Sequence, residues 1–247
     1  MLAYHSFGLW FEWLDRSSWS GRFKMRPPER RRYVDLLPRV LFNQFFLLLP
    51  AMVAVQALGL AYVGPDSLSV AGWILGAVGM TVGHDVMQYL AHRVILHRPA
   101  NMRSFGHMLH HATSASRAIS ACYMSAADFF LEIVCPYLIP LTLIGGGGSD
   151  VLFHSAVVTG GAFGGLYEHS GYDFGWKLRE AGGWRAIVGK MLSSEAHAAH
   201  HARGNVSFSD GFGSSSICDT LFRTRFDLAP NPRVSALTTA GAPPDKE

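Results

Sequence analysis

The chain has 247 residues, 49% of them apolar and only 16% charged, below the roughly 25% charged content of ordinary soluble domains. Mean hydropathy is positive at +0.17, and this balance points to a membrane protein with one sizeable domain. A net charge of +3 is too small to argue for a nucleic-acid partner. The three cysteines (Cys122, Cys135, Cys218) form no CxxC and leave one odd, which speaks against a disulfide framework.

Residues 1–39 alternate aromatics (Trp10, Phe11, Trp13, Trp19) with basic residues (Arg22, Lys24, Arg26, Arg30 to Arg32). That mixture suits a membrane interface, and Pro27-Pro28 breaks any helix there. The stretch carries no removable signal-peptide pattern. Val40 to Val63 is an uncharged run of 24 residues, long enough to cross a hydrocarbon core of about 30 Å. After a turn at Gly64-Pro65-Asp66-Ser67, Ser67 to Gly83 is a second uncharged run, and helical character continues through His84 to His92. Ile133 to Ser149 is the third, its helix starting nearer Ala126, with Asp128 and Glu132 placed where a helix N-terminus favours negative charge. The GGGGSD at 145–150 reads as a flexible connection, and Val151 to Tyr167 as a fourth, Gly- and Ala-rich run. The expected domains are an interfacial region over 1–39, a membrane domain over 40–227 and a disordered tail over 228–247.

Basic residues test this outline. Neither 40–92 nor 118–176 contains a Lys or Arg; all 21 fall in 1–39, 93–117 and 177–247. Four spans place those three segments on one side and the turns with Asp66 and Asp150 on the other, a positive-inside pattern. The expectation is an all-α integral membrane fold: four transmembrane helices in two hairpins, with a cytoplasmic helical cap carrying the histidines and both termini cytoplasmic.

Six of the twelve histidines lie in residues 84–111. His107, His110 and His111 stand at i, i+3 and i+4, and His197, His200 and His201 repeat that spacing, so each triplet shares one helical face. His92 and His97 are five apart; regular helix geometry separates them by about 140°, so they are expected not to share a face, with His97 at the helix end before Pro99. Imidazole suits Fe, Zn, Cu and Ni, and so many ligands exceed one tetrahedral zinc. His5 and His154 read as hydrogen-bonding residues rather than ligands.

The order H-x4-H (His92, His97), H-x2-HH, a lone His169, then H-x2-HH resembles the fatty acid hydroxylase/sterol desaturase superfamily. So do Asp85, Tyr89, His92 and Arg93 before the first box, and Asn205 and Asp219-Thr220-Leu221-Phe222-Arg223-Thr224 after the last. EHSGYDFGW at 168–176 looks like a segment of the C-4 methylsterol oxidases. The chain departs from the family in Arg223 in place of Gly, in Val206-Ser207 in place of Tyr-Gly, and in lacking His-Pro-x-Glu over Met124 to Asp128. The resemblance implies a di-iron enzyme that uses O2 as co-substrate to hydroxylate or desaturate a membrane lipid. The metal ligands it implies are His92, His97, His107, His110, His111, His169, His197, His200 and His201. His84 is set aside, because the motif is complete without it.

No catalytic side chain beyond the metal ligands is expected. Asp85, Asp173 and Asn205 are candidates to orient ligands; Asp85 can instead pair with Arg93 or Arg117, and Asp173 can instead cap a turn. The 168–176 segment tilts the substrate toward a sterol or related isoprenoid, with a fatty acid, sphingolipid or carotenoid as the alternative. The chain has neither HPGG nor G-x-G-x-x-G, so electrons are expected from a separate protein, a ferredoxin or cytochrome served by an NAD(P)H reductase. Rival readings are a membrane zinc hydrolase and a non-enzymatic metal-binding or transport protein; the latter would place ligands near the bilayer midplane, whereas only His154 lies inside an uncharged run. The short chain, its Ala/Gly/Arg richness and the lack of a C-terminal lysine retrieval motif favour a bacterial inner membrane over the endoplasmic reticulum.

Overall fold

Helix α1 (Leu2–Arg16) turns Tyr4, Phe11 and Leu14 into the core and leaves Leu9, Trp10 and Trp13 exposed. The computed structural model describes residues 1–229; the expected disordered tail lies, from 230 on, outside the described residues. Among the described residues three helices are long and apolar enough to cross a membrane: α2 (Tyr33–Ala57), α3 (Val70–Leu96) and, after the short helices α4 (Pro99–Ser104) and α5 (His107–His111), α6 (Ala126–Leu143). Their starts follow from their caps. The Arg32 amide donates to Asp35 (2.7 Å), the Gly72 amide to Ser69 Oγ (3.1 Å) and the Asp128 amide to Ser125 Oγ (3.2 Å), each filling a donor that a helix N-terminus leaves open.

Two expectations are corrected, the bounds of the first span and the openness of the glycine run. The first span runs from Tyr33 to Ala57 rather than Val40 to Val63; past Ala57 the chain turns back, the Leu60 and Ala61 amides both donating to the Val55 carbonyl (2.8 and 3.3 Å). The fourth uncharged run does form a helix, α7 (Val151–His169), but it is not among those apolar enough to be counted as spans. Its Gly, Thr, Ser and His content lowers its hydropathy. The glycine run before it is a packed turn rather than an open spacer. Gly145 to Gly148 all have positive φ, and Gly146 to Gly148 are buried. A Cβ on Gly146 would stand 2.9 Å from the Leu60 carbonyl oxygen. Asp150 ties the two turns together, accepting from the Leu68 amide (2.7 Å), Trp73 Nε1 (3.2 Å) and the Phe153 amide (2.9 Å).

Helices α3 and α6 pack along one another. A Cβ on Gly79 would lie 2.5 Å from Ile144 Cγ2, and one on Gly83 would lie 2.6 Å from Pro140 Cβ. Small residues let the backbones approach, as is usual where helix association rests on packing rather than on exclusion of water. Beyond α7, the short helices α8 (Trp176–Glu180), α9 (Gly183–Met191), α10 (Glu195–Arg203) and α11 (Ile217–Leu221) form the cap at the end where α3 stops. The N-terminal segment also reaches that end: Lys24 donates to Asp15 and to the Ser170 carbonyl, both at 2.6 Å.

The Pro140 ring cannot swing away from a new methyl group. Gly83→Ala is therefore expected to lower stability in detergent by about 1–3 kcal/mol. Gly160→Ala, with nothing within 4 Å of its new Cβ, serves as control and leaves the melting temperature equal or higher.

Candidate metal centre

The Leu90–Leu96 end of α3 is a π-turn. Its extra residue per turn closes the His97 amide onto the His92 carbonyl (2.9 Å) and brings the two rings to 4.8 Å between centroids. The expectation that these histidines do not share a helical face is thereby corrected: it assumed α-helical geometry throughout. His97 does end the helix, as its position before Pro99 predicts.

All nine expected ligands meet, parted into two groups. His92, His97, His107, His111 and His200 form one; His110, His169, His197 and His201 form the other; in each, the potential ligand atoms lie within 4.8 Å of one another. The consecutive pairs supply both groups at once. His111 and His200 serve the first, His110 and His201 the second, because adjacent residues on a helix point about 100° apart. Each HxxHH box thus straddles both groups instead of facing one. In the first group, Nε2 of His107 lies 3.1 Å from Nε2 of both His97 and His111, and Nε2 of His200 lies 3.2 Å from that of His111. In the second, Nε2 of His197 and His169 are 2.7 Å apart.

Proton placement shows what these groups can hold. His92 Nδ1 faces the Phe208 carbonyl and His200 Nδ1 the Val206 carbonyl, both at 2.7 Å. A carbonyl only accepts, so both Nδ1 atoms carry the proton and both Nε2 atoms present lone pairs. His107 Nδ1 faces Asp128 Oδ1 at 2.8 Å, with the same result. His92 Nε2, His110 Nδ1 and both ring nitrogens of His201 are buried without a hydrogen-bond partner. Converging lone pairs and orphaned nitrogens in a buried cluster fit cations, and the all-imidazole donor set suits first-row transition metals such as iron or zinc. Burial first, and neighbouring imidazoles second, lower His97 to about 3 and His111 to about 2 and hold His110, His200 and His201 well below the usual histidine range; burial, then the Arg26 guanidinium, lower His197 to about 3. Neutral imidazole is the form that ligates.

The three expected orienting residues part ways. Asp85 is fully buried and accepts from Ser209 Oγ (2.5 Å), Ser215 Oγ and the Ile217 amide (2.6 Å), not from Arg93 or Arg117. It touches no ring but fixes the segment whose Phe208 carbonyl orients His92. Asp173 accepts from the Gly175 amide (2.9 Å), Arg179 (3.0 Å) and Ser193 Oγ (3.1 Å), closing the loop between α7 and α10. Asn205 is exposed, and the Val206 carbonyl, one residue on, is what orients His200. His84 is exposed on α3, outside both groups. His5 bonds Tyr33 and Gln44, and His154 bonds the Gly148 carbonyl.

Three acids near the centre carry more than the sequence suggests. Asp128 and Glu132 are buried beside His107 and His92 rather than merely favouring a helix start. Asp219 accepts from the Phe208, Ser209 and Asp210 amides at 3.1, 2.6 and 2.8 Å. Asp128 and Glu132 lie in the otherwise apolar α6, a placement that signals function and was the clue available.

Residues 77–224 match the family model described as fatty acid hydroxylase. No curated protein and no solved structure matches the chain.

Two outcomes are expected. Asp219→Ala loosens the Phe208 carbonyl and should weaken metal retention roughly 10–100-fold, measured as metal per chain at limiting metal. In metal-free protein the lowered pKa values of His97, His111 and His197 mean that below the ordinary 6.5 the unfolded chain binds more protons than the folded one. Stability is then greatest above about pH 7 and falls steadily as pH drops from 6.5 toward about 3; a melting temperature that rises on acidification contradicts this.

Proposed function

The chain belongs to the fatty acid hydroxylase family of di-iron oxidoreductases, and we propose that it carries out the O2-dependent hydroxylation or desaturation of a membrane lipid. The observation that carries this reading is the parting of nine imidazoles, buried or half-buried, into a five and a four at the ends of helices α3 and α7. The two groups would each hold one iron, which when bound supplies O2 activation and the two-electron oxidation of an unactivated C–H bond. The chain's own residues do the rest. Carbonyls 206 and 208 and Asp128 fix ring tautomers. A transporter would need ligands at mid-membrane, whereas His154 lies in the first turn of α7, bonded to a turn carbonyl, and His84, on α3, belongs to neither histidine group.

For the membrane, we take α7 as a fourth crossing helix, giving two hairpins. Its first turn packs at the far hairpin turns through Asp150 and its last residue, His169, is at the metal groups. At 19 residues it is about 28 Å long, close to the hydrocarbon thickness of about 30 Å. The basic segments then share the cytoplasmic side with the metal centre and both termini, in a bacterial inner membrane.

The substrate class we favour is a sterol or related isoprenoid. Its support is the 168–176 segment that carries His169, in which Tyr172 and Phe174 stack at 5.8 Å with 16° between planes. The family's own description supports an acyl lipid as the second reading. Electrons would come from an acidic ferredoxin or cytochrome docking on exposed Arg98, Arg103 and Arg203, which lie on the segments bearing the histidines.

Lipid profiling of a host with and without the gene under 18O2 should show one lipid gaining a labelled hydroxyl or losing two hydrogens. Stoichiometric zinc with turnover that persists without O2 would sink the reading in favour of a hydrolase. Turnover with an acidic donor should fall about tenfold between low salt and roughly 0.5 M salt, since exposed charges are screened there.

A further inference from the structure

One buried group has no part in the scheme so far. Glu132 sits on another π-turn, Phe130–Val134 in α6, and is 3% exposed. Its Oε1 lies 3.3 Å from His92 Nε2 and accepts from Gln88 Nε2 at 3.1 Å. Its Oε2 lies 3.5 Å from His107 Nδ1 and has no hydrogen-bond partner.

The two nearby carboxylates address different faces of the rings. Asp128 meets His107 at Nδ1, behind the ring, because His107 Nε2 already faces His97 and His111. Glu132 meets His92 at Nε2. The other nitrogen of His92 is committed to the Phe208 carbonyl, so Nε2 is the nitrogen aimed at the metal group. A carboxylate oxygen and an imidazole lone pair repel at 3.3 Å unless something positive or a proton lies between them. Carboxylates in transmembrane helices are rare and carry function, and π-turns frequently mark such places.

We propose that Glu132 is an oxygen ligand of the metal bound by His92, His97, His107, His111 and His200. This rests on the reading that the two histidine groups hold two metals. It makes the positions unequal. The first has five imidazoles and a carboxylate, enough to complete a six-coordinate shell. The second has four imidazoles and keeps open positions for O2 and water. Gln88 then acts as a positioning residue, holding Oε1 through its amide.

The test is anaerobic titration of Co(II) or Fe(II) into the full-length protein in detergent, comparing wild type with Glu132→Gln. Glutamine keeps the size, and its amide can still donate to His92 Nε2, so a role as hydrogen-bond partner survives the change whereas ligation by a carboxylate does not. The expected result is two metals in wild type and, in E132Q, one retained and one weakened roughly 10–100-fold, with stronger visible absorption from the cobalt ion that has lost a ligand. Unchanged affinities and an unchanged cobalt spectrum in E132Q overturn the assignment of Glu132 but leave the two-metal reading intact. Fewer than two metals in wild type overturns that reading itself. In wild type, independently of any variant, infrared difference spectra on cobalt addition should show a shifted carboxylate stretch; its absence also overturns the proposal.

Discussion

Everything in this molecule answers to one electrostatic problem: lone pairs on neutral imidazoles held about 3 Å apart in a buried space. The backbone carbonyls of Val206 and Phe208 force it by accepting hydrogen bonds from the Nδ1–H of His200 and His92. Without a cation between them the Nε2 atoms would push the cap open. With one, the same arrangement is complementary, and the cost of leaving water is offset by coordination. The fold is accordingly built around holding these nitrogens together, and its most densely bonded segment is the one that supplies the carbonyls.

That segment explains the buried acids after the last histidine box. Asp219 collects three consecutive amides and Thr224 Oγ1, and Asp85 reaches from α3 to Ser209 and Ile217. The ring of His92 is thereby held from both ends of the chain. The N-terminal region has a similar part on the other group: Lys24 and the Met25 amide hold the Ser170 and Gly171 carbonyls, at 2.6 and 2.8 Å, immediately after His169.

Much of this was legible from residue order. The H-x2-HH repeats and the absence of cysteine pairs implied a histidine metal centre, and the runs without Lys or Arg implied apolar helices near where they occur. What escaped was of two kinds. Departures from α-geometry leave no periodic trace, so the π-turn at Leu90–Leu96 made His92 and His97 seem to diverge. Long-range pairing leaves none either: Asp85 reads as a partner for a nearby arginine, yet it binds residues 124 to 132 positions away. The fourth helix was legible as a helix, but its small and polar residues lower the hydropathy on which a span is recognised.

The π-turn in α3 has a structural consequence of its own. In an uninterrupted helix, the face turned to lipid and the face turned to the cap are locked in phase, so any change that suits one disturbs the other. An extra residue in the last turn breaks that phase. Upstream, Gly79 and Gly83 set how α3 meets α6 and Gly76 how it meets α7; downstream, His92 and His97 set how it meets the metal centre. The helix behaves as two parts coupled by a rotary offset, which lets packing within the bilayer drift over evolution while the donor atoms stay aimed.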